Sequence, residues 1–127
     1  GAAACGGGSS GEQLGGKVEL HEAVDLSGMA GKPCAGEGGY SDLRAGAQVI
    51  VEDNDGKVVA TGQFGQGTTY TPQTNLTLTY CSFPIEVATK IPKRDFYKIK
   101  LANRDPLTYS FDDLEAQGWT LNLTIGD

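Results

Sequence analysis

The sequence has no apolar stretch near the ~20 residues that a membrane-spanning helix needs. It has no excess of basic residues either, because 10 Lys and Arg stand against 16 Asp and Glu, for a net charge of −6. The first absence argues against a membrane-spanning helix in this sequence. The second argues against a nucleic-acid-binding protein, whose surface is usually basic. With 127 residues, the chain is long enough for one domain.

Histidine and cysteine, the usual ligands of structural zinc, are scarce. His21 is the only histidine, and the cysteines are Cys5, Cys34 and Cys81. Because zinc sites generally need several Cys or His ligands, we expect no metal and no cofactor. A Cys–His nucleophile pair would need Cys34 or Cys81 in the reduced state and close to His21. The sequence provides no third group to orient such a pair.

Three cysteines are an odd number, which leaves one thiol to explain. Cys5 follows three small residues and precedes a Gly/Ser run, as the lipidated cysteine of a bacterial lipoprotein does. We therefore predict lipidation of Cys5 and a disulfide between Cys34 and Cys81. Such a disulfide contributes roughly 3–4 kcal/mol and is typical of an oxidising compartment. The alternative for Cys5 is an unmodified residue in a disordered tail.

The domain organisation follows from a change in composition near residue 17. Residues 1–16 are predicted to form a flexible, lipoprotein-type tether, since a Gly/Ser-rich segment buries too little apolar surface to offset its ordering entropy. Residues 17–127 are predicted to form a single β-domain. A tether of this kind would let the domain stand off a membrane or wall.

Apolar residues recur at every second position, which is the pattern of half-buried strands. Val18 and Leu20 begin this pattern, and residues 47–62 place two β-branched runs around an Asp–Gly turn, as in a β-hairpin. Residues 64–74 are rich in Gly, Gln, Thr and Pro and are predicted to form a long loop.

Three further strands are predicted in the second half of the chain. Leu76, Leu78 and Tyr80 alternate with threonines, and the apolar positions then change parity through 81–87. This change predicts a bulge or corner near Tyr80–Cys81. Residues 97–101 and 119–125 also alternate.

A short helix is predicted at 110–118, where Ser110 stands as the N-cap and Gly118 as the stop. Asp112 and Asp113 lie in its first turn, where the helix dipole favours acids. The predicted fold class is therefore all-β: an antiparallel β-sandwich, immunoglobulin-like or transthyretin-like, of about seven strands with one short helix near 110–117.

Two resemblances point to the same fold. Residues 49–62, Val-Ile-Val-Glu-Asp-Asn-Asp-Gly-Lys-Val-Val-Ala-Thr-Gly, resemble the opening hairpin of transthyretin-like and carboxypeptidase-regulatory-like domains. Four later segments are similar to small uncharacterised secreted or lipid-anchored proteins of actinobacteria: Cys81-Ser-Phe-Pro-Ile-Glu-Val87, Phe96-Tyr-Lys-Ile99, Tyr109-Ser-Phe-Asp-Asp-Leu114 and Gly118-Trp-Thr-Leu-Asn-Leu123. The second resemblance implies export and a sandwich fold, and it carries no known catalytic residues.

The acidic turn Glu52-Asp53-Asn54-Asp55-Gly56 has the composition of a calcium site. An EF-hand loop needs acids at alternate positions and a glutamate at its twelfth position. Placing Gly56 at the loop glycine puts Val51 first and Gly62 last. The motif therefore fails, and a hairpin turn is predicted instead.

A basic run lies between residues 90 and 104, where Asp95 is the single acid. Its members are Lys90, Lys93, Arg94, Lys98, Lys100 and Arg104. We predict a candidate anion-binding site for wall polymers or lipid headgroups, because each charge near an anionic surface contributes about 1 kcal/mol. The alternative is the solvated face of an edge strand, where lysines block aggregation.

These observations predict an extracytoplasmic, non-enzymatic protein that binds or displays something at the cell envelope. It would be secreted or membrane-anchored through the lipid on Cys5. Its predicted partners are the membrane, an anionic wall polymer or another envelope protein, and no nucleic acid. One alternative is an accessory domain docked on an envelope protein. Another is a small hydrolase that uses Asp105 with Asp112 or Asp113.

Overall fold

The structure is a computed structural model that describes residues 11–21 and 31–126. These ranges contain ten strands and one α-helix. The strands are β1 (Gly11–Glu12), β2 (Gly15–Leu20), β3 (Gln48–Asp53), β4 (Val58–Phe64), β5 (Thr68–Tyr70), β6 (Tyr80–Glu86), β7 (Ile91–Pro92), β8 (Phe96–Leu101), β9 (Leu107–Ser110) and β10 (Thr120–Ile125). The helix α1 (Phe111–Ala116) lies between β9 and β10.

Eight strands form one curled sheet in the order β10-β2-β6-β4-β3-β8-β9, and β5 pairs with β6 off this path. The remaining strands, β1 and β7, form a small second sheet. Only the β10–β2 pair is parallel among the strand pairs of the described ranges. This architecture confirms the predicted all-β, sandwich-like fold.

The core fills the concave side of the curled sheet and follows the period-two pattern of the sequence. Val49 and Val51 on β3 and Tyr97 and Ile99 on β8 are fully buried, while the residues between them face outward. Each fully buried large apolar side chain contributes about 1.5–3 kcal/mol through the hydrophobic effect. The alternation therefore fixes the register, since a one-residue slip would expose the whole set.

The predicted hairpin is present as β3 and β4, which pair antiparallel from Gln48↔Gln63 to Glu52↔Val58. Gly56 supplies the positive φ of the connecting turn, at +80°. A register shift lies between Val51 and Glu52. The hairpin prediction is therefore confirmed.

The N-terminal boundary of the folded part differs from the prediction. The tether was expected to extend to residue 16, but Gly11–Glu12 and Gly15–Leu20 are strands and Leu14 is buried at 1% exposure. For residues 11–16 the prediction of a flexible tether is therefore wrong. The physical reason is that Leu14 enters the core and the flanking glycines allow close strand pairing. Residues 1–10, with Cys5, lie outside the described residues.

Two predictions for the middle of the chain are also wrong. The loop expected over 64–74 contains β5, whose Thr69 pairs with Cys81. The strand expected to begin at Leu76 is instead a pair of turns, and Leu76 is 73% exposed. The Asn75 side chain accepts hydrogen bonds from the amide (3.1 Å) and hydroxyl (2.6 Å) of Thr77. Such local side-chain bonds compete with a strand ladder.

The predicted helix is confirmed as α1 with a complete capping box. The Ser110 hydroxyl accepts from the Asp113 amide at 3.0 Å, and the Asp113 carboxylate accepts from the Ser110 amide at 3.0 Å. Gly118 follows with φ +63°, and Trp119 also has positive φ, at +59°. The Trp119 side chain is buried, as predicted for a core residue, and it precedes β10.

Candidate functional site

The predicted disulfide is present between Cys34 and Cys81, with Cα atoms 5.9 Å apart. Cys81 lies on β6, and the Cys34 amide donates to the Gly67 carbonyl at 3.0 Å. The crosslink therefore joins the irregular segment after residue 31 to the centre of the sheet. It is compatible with an oxidising, extracytoplasmic compartment. Within the described ranges no helix has both the length and the apolar character needed to cross a bilayer.

The acidic turn holds a buried carboxylate, Asp53, at 3% exposure. One oxygen accepts from the amides of Asp55 (2.9 Å) and Lys57 (3.0 Å), and the other accepts from Arg94 Nε at 3.0 Å. Burial raises the pKa of Asp53, but these hydrogen bonds and the Arg94 charge outweigh it and hold the pKa below the usual 3.8. Both oxygens are therefore engaged by the turn and by Arg94, as a hairpin turn requires.

Arg94 belongs to the basic run, and its charge is paired with that of Asp53. Its amide donates to the Tyr97 hydroxyl at 2.8 Å, and that hydroxyl donates to the Pro92 carbonyl at 2.8 Å. Burial raises the pKa of Tyr97, and the contacts with Arg94 lower it only in part. This network fixes the start of β8 against the turn between β3 and β4, so Arg94 has a structural role.

Arg104 also belongs to the basic run, and its charge is paired with that of Asp42. Its Nη2 donates to the Asp42 carboxylate at 2.7 Å and to the Gly39 carbonyl at 2.9 Å. Its guanidinium also lies 4.9 Å from the centre of the Tyr40 ring. The two arginines lie at opposite ends of β8, whose six residues span roughly 20 Å, so they do not form one site.

The four lysines of the basic run are exposed. Lys98 faces Glu52 across the β3–β8 pair, while Lys100 faces Ile50. Lys93 Nζ lies 4.9 Å from the centre of the Phe111 ring. Lys98 and Lys100 therefore share the outer face of β8, whereas Lys90 and Lys93 flank β7. The structure does not gather all six cations into one patch.

The carboxylates considered for hydrolysis are Asp105, Asp112 and Asp113, and all three are exposed. Asp113 is engaged in the capping box, and Asp112 lies in the first turn of α1. None of the three is enclosed in the way that an acid–base pair in a substrate cleft usually is.

His21 stacks on Tyr80, with ring centroids 3.4 Å apart, and its Nε2 lies 3.2 Å from the Glu19 carboxylate. Cys34 and Cys81 are joined to each other, so neither is available as the partner of a histidine. Among the described residues, no three His, Cys, Asp or Glu side chains come together as metal ligands would.

A groove of about 830 Å³ lies between β4 and the start of β2. Its polar side chains are Gln13, Gln48, Thr61, Gln63, Glu86 and Thr120. All six are exposed, and Glu86 is the only charged residue in the wall. We call this feature the glutamine groove. Its size is typical of ligand-binding clefts.

The glutamine groove opens because β4 and β6 separate after a short pairing. Gln63↔Glu86 and Phe64↔Ile85 are the paired positions, although β4 is seven residues long. After Glu86 the chain passes over the inner face of Gly62, where an added Cβ would lie 2.7 Å from Val87 Cγ2. A glycine is therefore required at this point, because the divergence of the strands depends on this close approach.

Trp119 forms part of the groove wall, and a hydrogen bond and two ring contacts hold its indole in place. Its Nε1 donates to the Glu115 carboxylate at 2.6 Å, and its backbone carbonyl accepts from the Gly15 amide at 3.0 Å. The Tyr97 and Phe111 rings meet it edge-on at 5.9 and 5.6 Å. A positive φ at a large non-glycine residue is costly and tends to occur near functional sites.

Sequence reasoning did not find the glutamine groove. Its polar residues, all neutral except Glu86, come from separate segments of the chain and match no motif. One signal was available, because Gly62 interrupts a β-branched strand and such a glycine often marks a close backbone approach.

Comparison of the chain with protein-family models, curated proteins and solved structures gives no match. The resemblances to transthyretin-like domains and to actinobacterial secreted proteins therefore stay predictions.

Proposed function

We propose that the protein is a non-enzymatic binding module that works outside the cytoplasm, secreted or held at the cell envelope by a lipid on Cys5. Its ligand lies in the glutamine groove and is bound by hydrogen bonds more than by charge. The observation that carries this proposal is the composition of the groove wall, in which glutamines and threonines surround a single carboxylate, that of Glu86.

Amide and hydroxyl side chains suit a neutral, hydrogen-bonding ligand. Each glutamine offers two donors and a carbonyl acceptor, and each threonine offers a donor and an acceptor. Gln48 and Gln63 face each other across β3 and β4 and project outward. They can contact a ligand without disturbing the core.

The groove is a better candidate than the basic run for two reasons. Arg94 and Arg104 are paired with Asp53 and Asp42, which lowers the positive charge available to an anion. Lys98 lies opposite Glu52. An anionic wall polymer would therefore meet dispersed lysines on a protein whose net charge is −6.

Location outside the cytoplasm is supported by the Cys34–Cys81 disulfide. Lipidation of Cys5 remains a proposal that rests on the flanking sequence. The intact mass of the chain, recovered from a bacterial host that exports it, tests this part. Diacylglycerol would add several hundred daltons, and an unmodified Cys5 would contradict the anchor while leaving the binding proposal intact.

Groove binding can be measured directly because Trp119 is the only tryptophan. Fluorescence titration with neutral oligosaccharides, peptides and a polyanionic wall-type polymer compares the ligand classes. The matched variants are Gln48→Ala/Gln63→Ala in the groove and Lys98→Ala/Lys100→Ala on the outer face of β8.

We expect the glutamine variant to weaken binding about tenfold or more, since each lost hydrogen bond contributes about 0.5–1.5 kcal/mol. The lysine variant should bind as the wild type does. If binding depends on Lys98 and Lys100 and not on the glutamines, the groove proposal is wrong and the anionic-polymer alternative is supported. If no ligand class binds, the binding function is wrong.

A further inference from the structure

The β4–β6 ladder ends one rung before Thr61. Gln63 pairs with Glu86, and the Gly65 amide donates to the Pro84 carbonyl at 2.8 Å. Hydrogen-bonded rungs in an antiparallel pair recur every second residue. The next rung would therefore join Thr61 to residue 88, but the chain has left β4 by then.

The hydrogen bonds between β3 and β4 show the direction of the main-chain N–H and C=O of Thr61. The Phe64 amide donates to the Ala47 carbonyl at 2.9 Å, so this rung is hydrogen-bonded. By alternation, Gly62 bonds to Val49 in the same way, whereas Thr61 is directed away from β3. The Thr61 N–H and C=O therefore point into the glutamine groove, where no other described residue pairs with them.

In a continued β4–β6 ladder Ala88 would lie opposite Thr61, and Gln13 keeps it out of that position. Its side-chain amide donates to the carbonyls of Val87 (3.1 Å) and Ala88 (3.2 Å). These bonds hold residues 87–88 beside the start of β2 and away from β4. The free main-chain groups of Thr61 thus face a preformed space rather than a neighbouring strand.

We propose that the occupant of the glutamine groove is an extended peptide segment of a partner protein, which adds to β4 by exchanging two main-chain hydrogen bonds with Thr61. This proposal rests on the proposed function and names its ligand class. The argument is hydrogen-bond complementarity, because an outward N–H and C=O on one residue match the main chain of an extended peptide.

The walls of the groove also restrict which side chains the peptide can have. In an antiparallel pair, opposite residues project to the same face, so the residue opposite Thr61 points outward beside Gln63. Its neighbours point toward Gly62 and Val87, where space is limited. A neutral segment with small side chains at these inward positions fits this site, since Glu86 is the only charge in the wall.

The first experiment measures amide hydrogen exchange in the full chain. Without peptide, the Thr61 amide should exchange rapidly while the Gly62 amide, bonded toward β3, is protected. Protection of Thr61 in the free protein at all concentrations would mean that this edge is already covered, and the proposal would be wrong. Protection that appears only as the protein concentration rises would identify a second copy as the occupant, which would also overturn the proposal.

The second experiment selects peptides from a displayed library of random decapeptides on the full chain and titrates them against Trp119 fluorescence. Thr61→Pro removes the outward N–H but keeps the bonds to β3, and Ala60 is already extended, as the residue before a proline prefers. Thr61→Val keeps the N–H and serves as the matched control. Since Thr61→Pro removes one main-chain donor and keeps the carbonyl, we expect it to weaken binding about fivefold, for one hydrogen bond of about 1 kcal/mol. Thr61→Val loses only the side-chain hydroxyl, so its loss of affinity should be smaller and its amide at position 61 should still become protected when peptide is added.

The outcomes separate this proposal from the proposed function. Peptide binding that resists Thr61→Pro, or oligosaccharide binding through Gln48 and Gln63 without peptide binding, refutes the peptide proposal and leaves a binding groove. Binding of nothing in the groove refutes both. If Thr61→Pro does not fold, protection of the wild-type Thr61 amide on peptide addition supports the proposal, and its absence refutes it.

Discussion

Removal of the Cys34–Cys81 crosslink should lower the free energy of unfolding by about 4 kcal/mol. The two cysteines are 47 positions apart, and the chain-entropy relation for a loop of that length gives about 4 kcal/mol at 25 °C. Small domains are stable by only about 5–15 kcal/mol, so the crosslink supplies a large share. For a domain of this size, the loss corresponds to a fall in Tm of roughly 15 °C.

Urea unfolding of the oxidised and reduced wild type measures the crosslink alone, because both sulfurs remain in place. Cys81 is fully buried and Cys34 is 8% exposed, so the reductant has to be added under unfolding conditions. The Cys34→Ala/Cys81→Ala variant is the control, since its unfolding should not respond to reductant. If reduction changes the free energy of unfolding of the wild type by less than about 1 kcal/mol, the loop-entropy argument fails. The inference that this domain depends on an oxidising compartment would then lose its energetic basis.

Two further perturbations test the interior. The folded pKa of Asp53 lies below its usual 3.8, so its stabilisation is present above that value and is lost as pH falls through the folded pKa. Asp53→Asn should therefore unfold at a lower urea concentration than the wild type at neutral pH and lose less stability on acidification. An added Cβ at Gly67 would lie 2.9 Å from Cys81 Sγ, so Gly67→Ala should cost about 1–3 kcal/mol in urea unfolding. Gly39→Ala, which meets open space, should cost almost nothing.

Local chemistry explains why part of the fold could be predicted. The β3–β4 hairpin needs only two β-branched runs and the positive φ that Gly56 provides, and these act within one short segment. The helix α1 likewise depends on Ser110 and Asp113, three residues apart. Such elements follow from neighbouring residues, so the sequence pattern was sufficient.

The wrong predictions fall where local pattern and tertiary context conflict. Leu76 and Leu78 alternate with threonines as strand residues do, yet the Asn75 side chain closes a turn on Thr77. Leu14 sits in a Gly-rich segment that resembles a linker, yet the core accepts it. A single apolar residue does not change the composition of a segment, but its burial can order the backbone on either side.

The basic run shows why a cluster of charges in the sequence does not by itself predict a charged binding surface. The partner of Arg94 is 41 positions away and that of Arg104 is 62 positions away. In the folded protein these cations are paired with Asp53, in the predicted hairpin turn, and with Asp42, which lies between Cys34 and β3. The pairs lie at the two ends of β8, whose outward-facing residues are Phe96, Lys98 and Lys100.

The glutamine groove has the opposite origin, because it arises where pairing stops. Its defining group is the main chain of Thr61, and no side-chain pattern can encode an unpaired N–H and C=O. The sequence does contain two residues that keep this position of β4 unpaired. Gly62 leaves space for Val87, and the Gln13 side chain binds the carbonyls of Val87 and Ala88. An exposed strand edge normally carries charges or proline against unwanted pairing. Here the edge is recessed in a groove of about 830 Å³. A recessed edge would admit one extended segment and limit contact between whole sheets, as the proposed peptide binding requires.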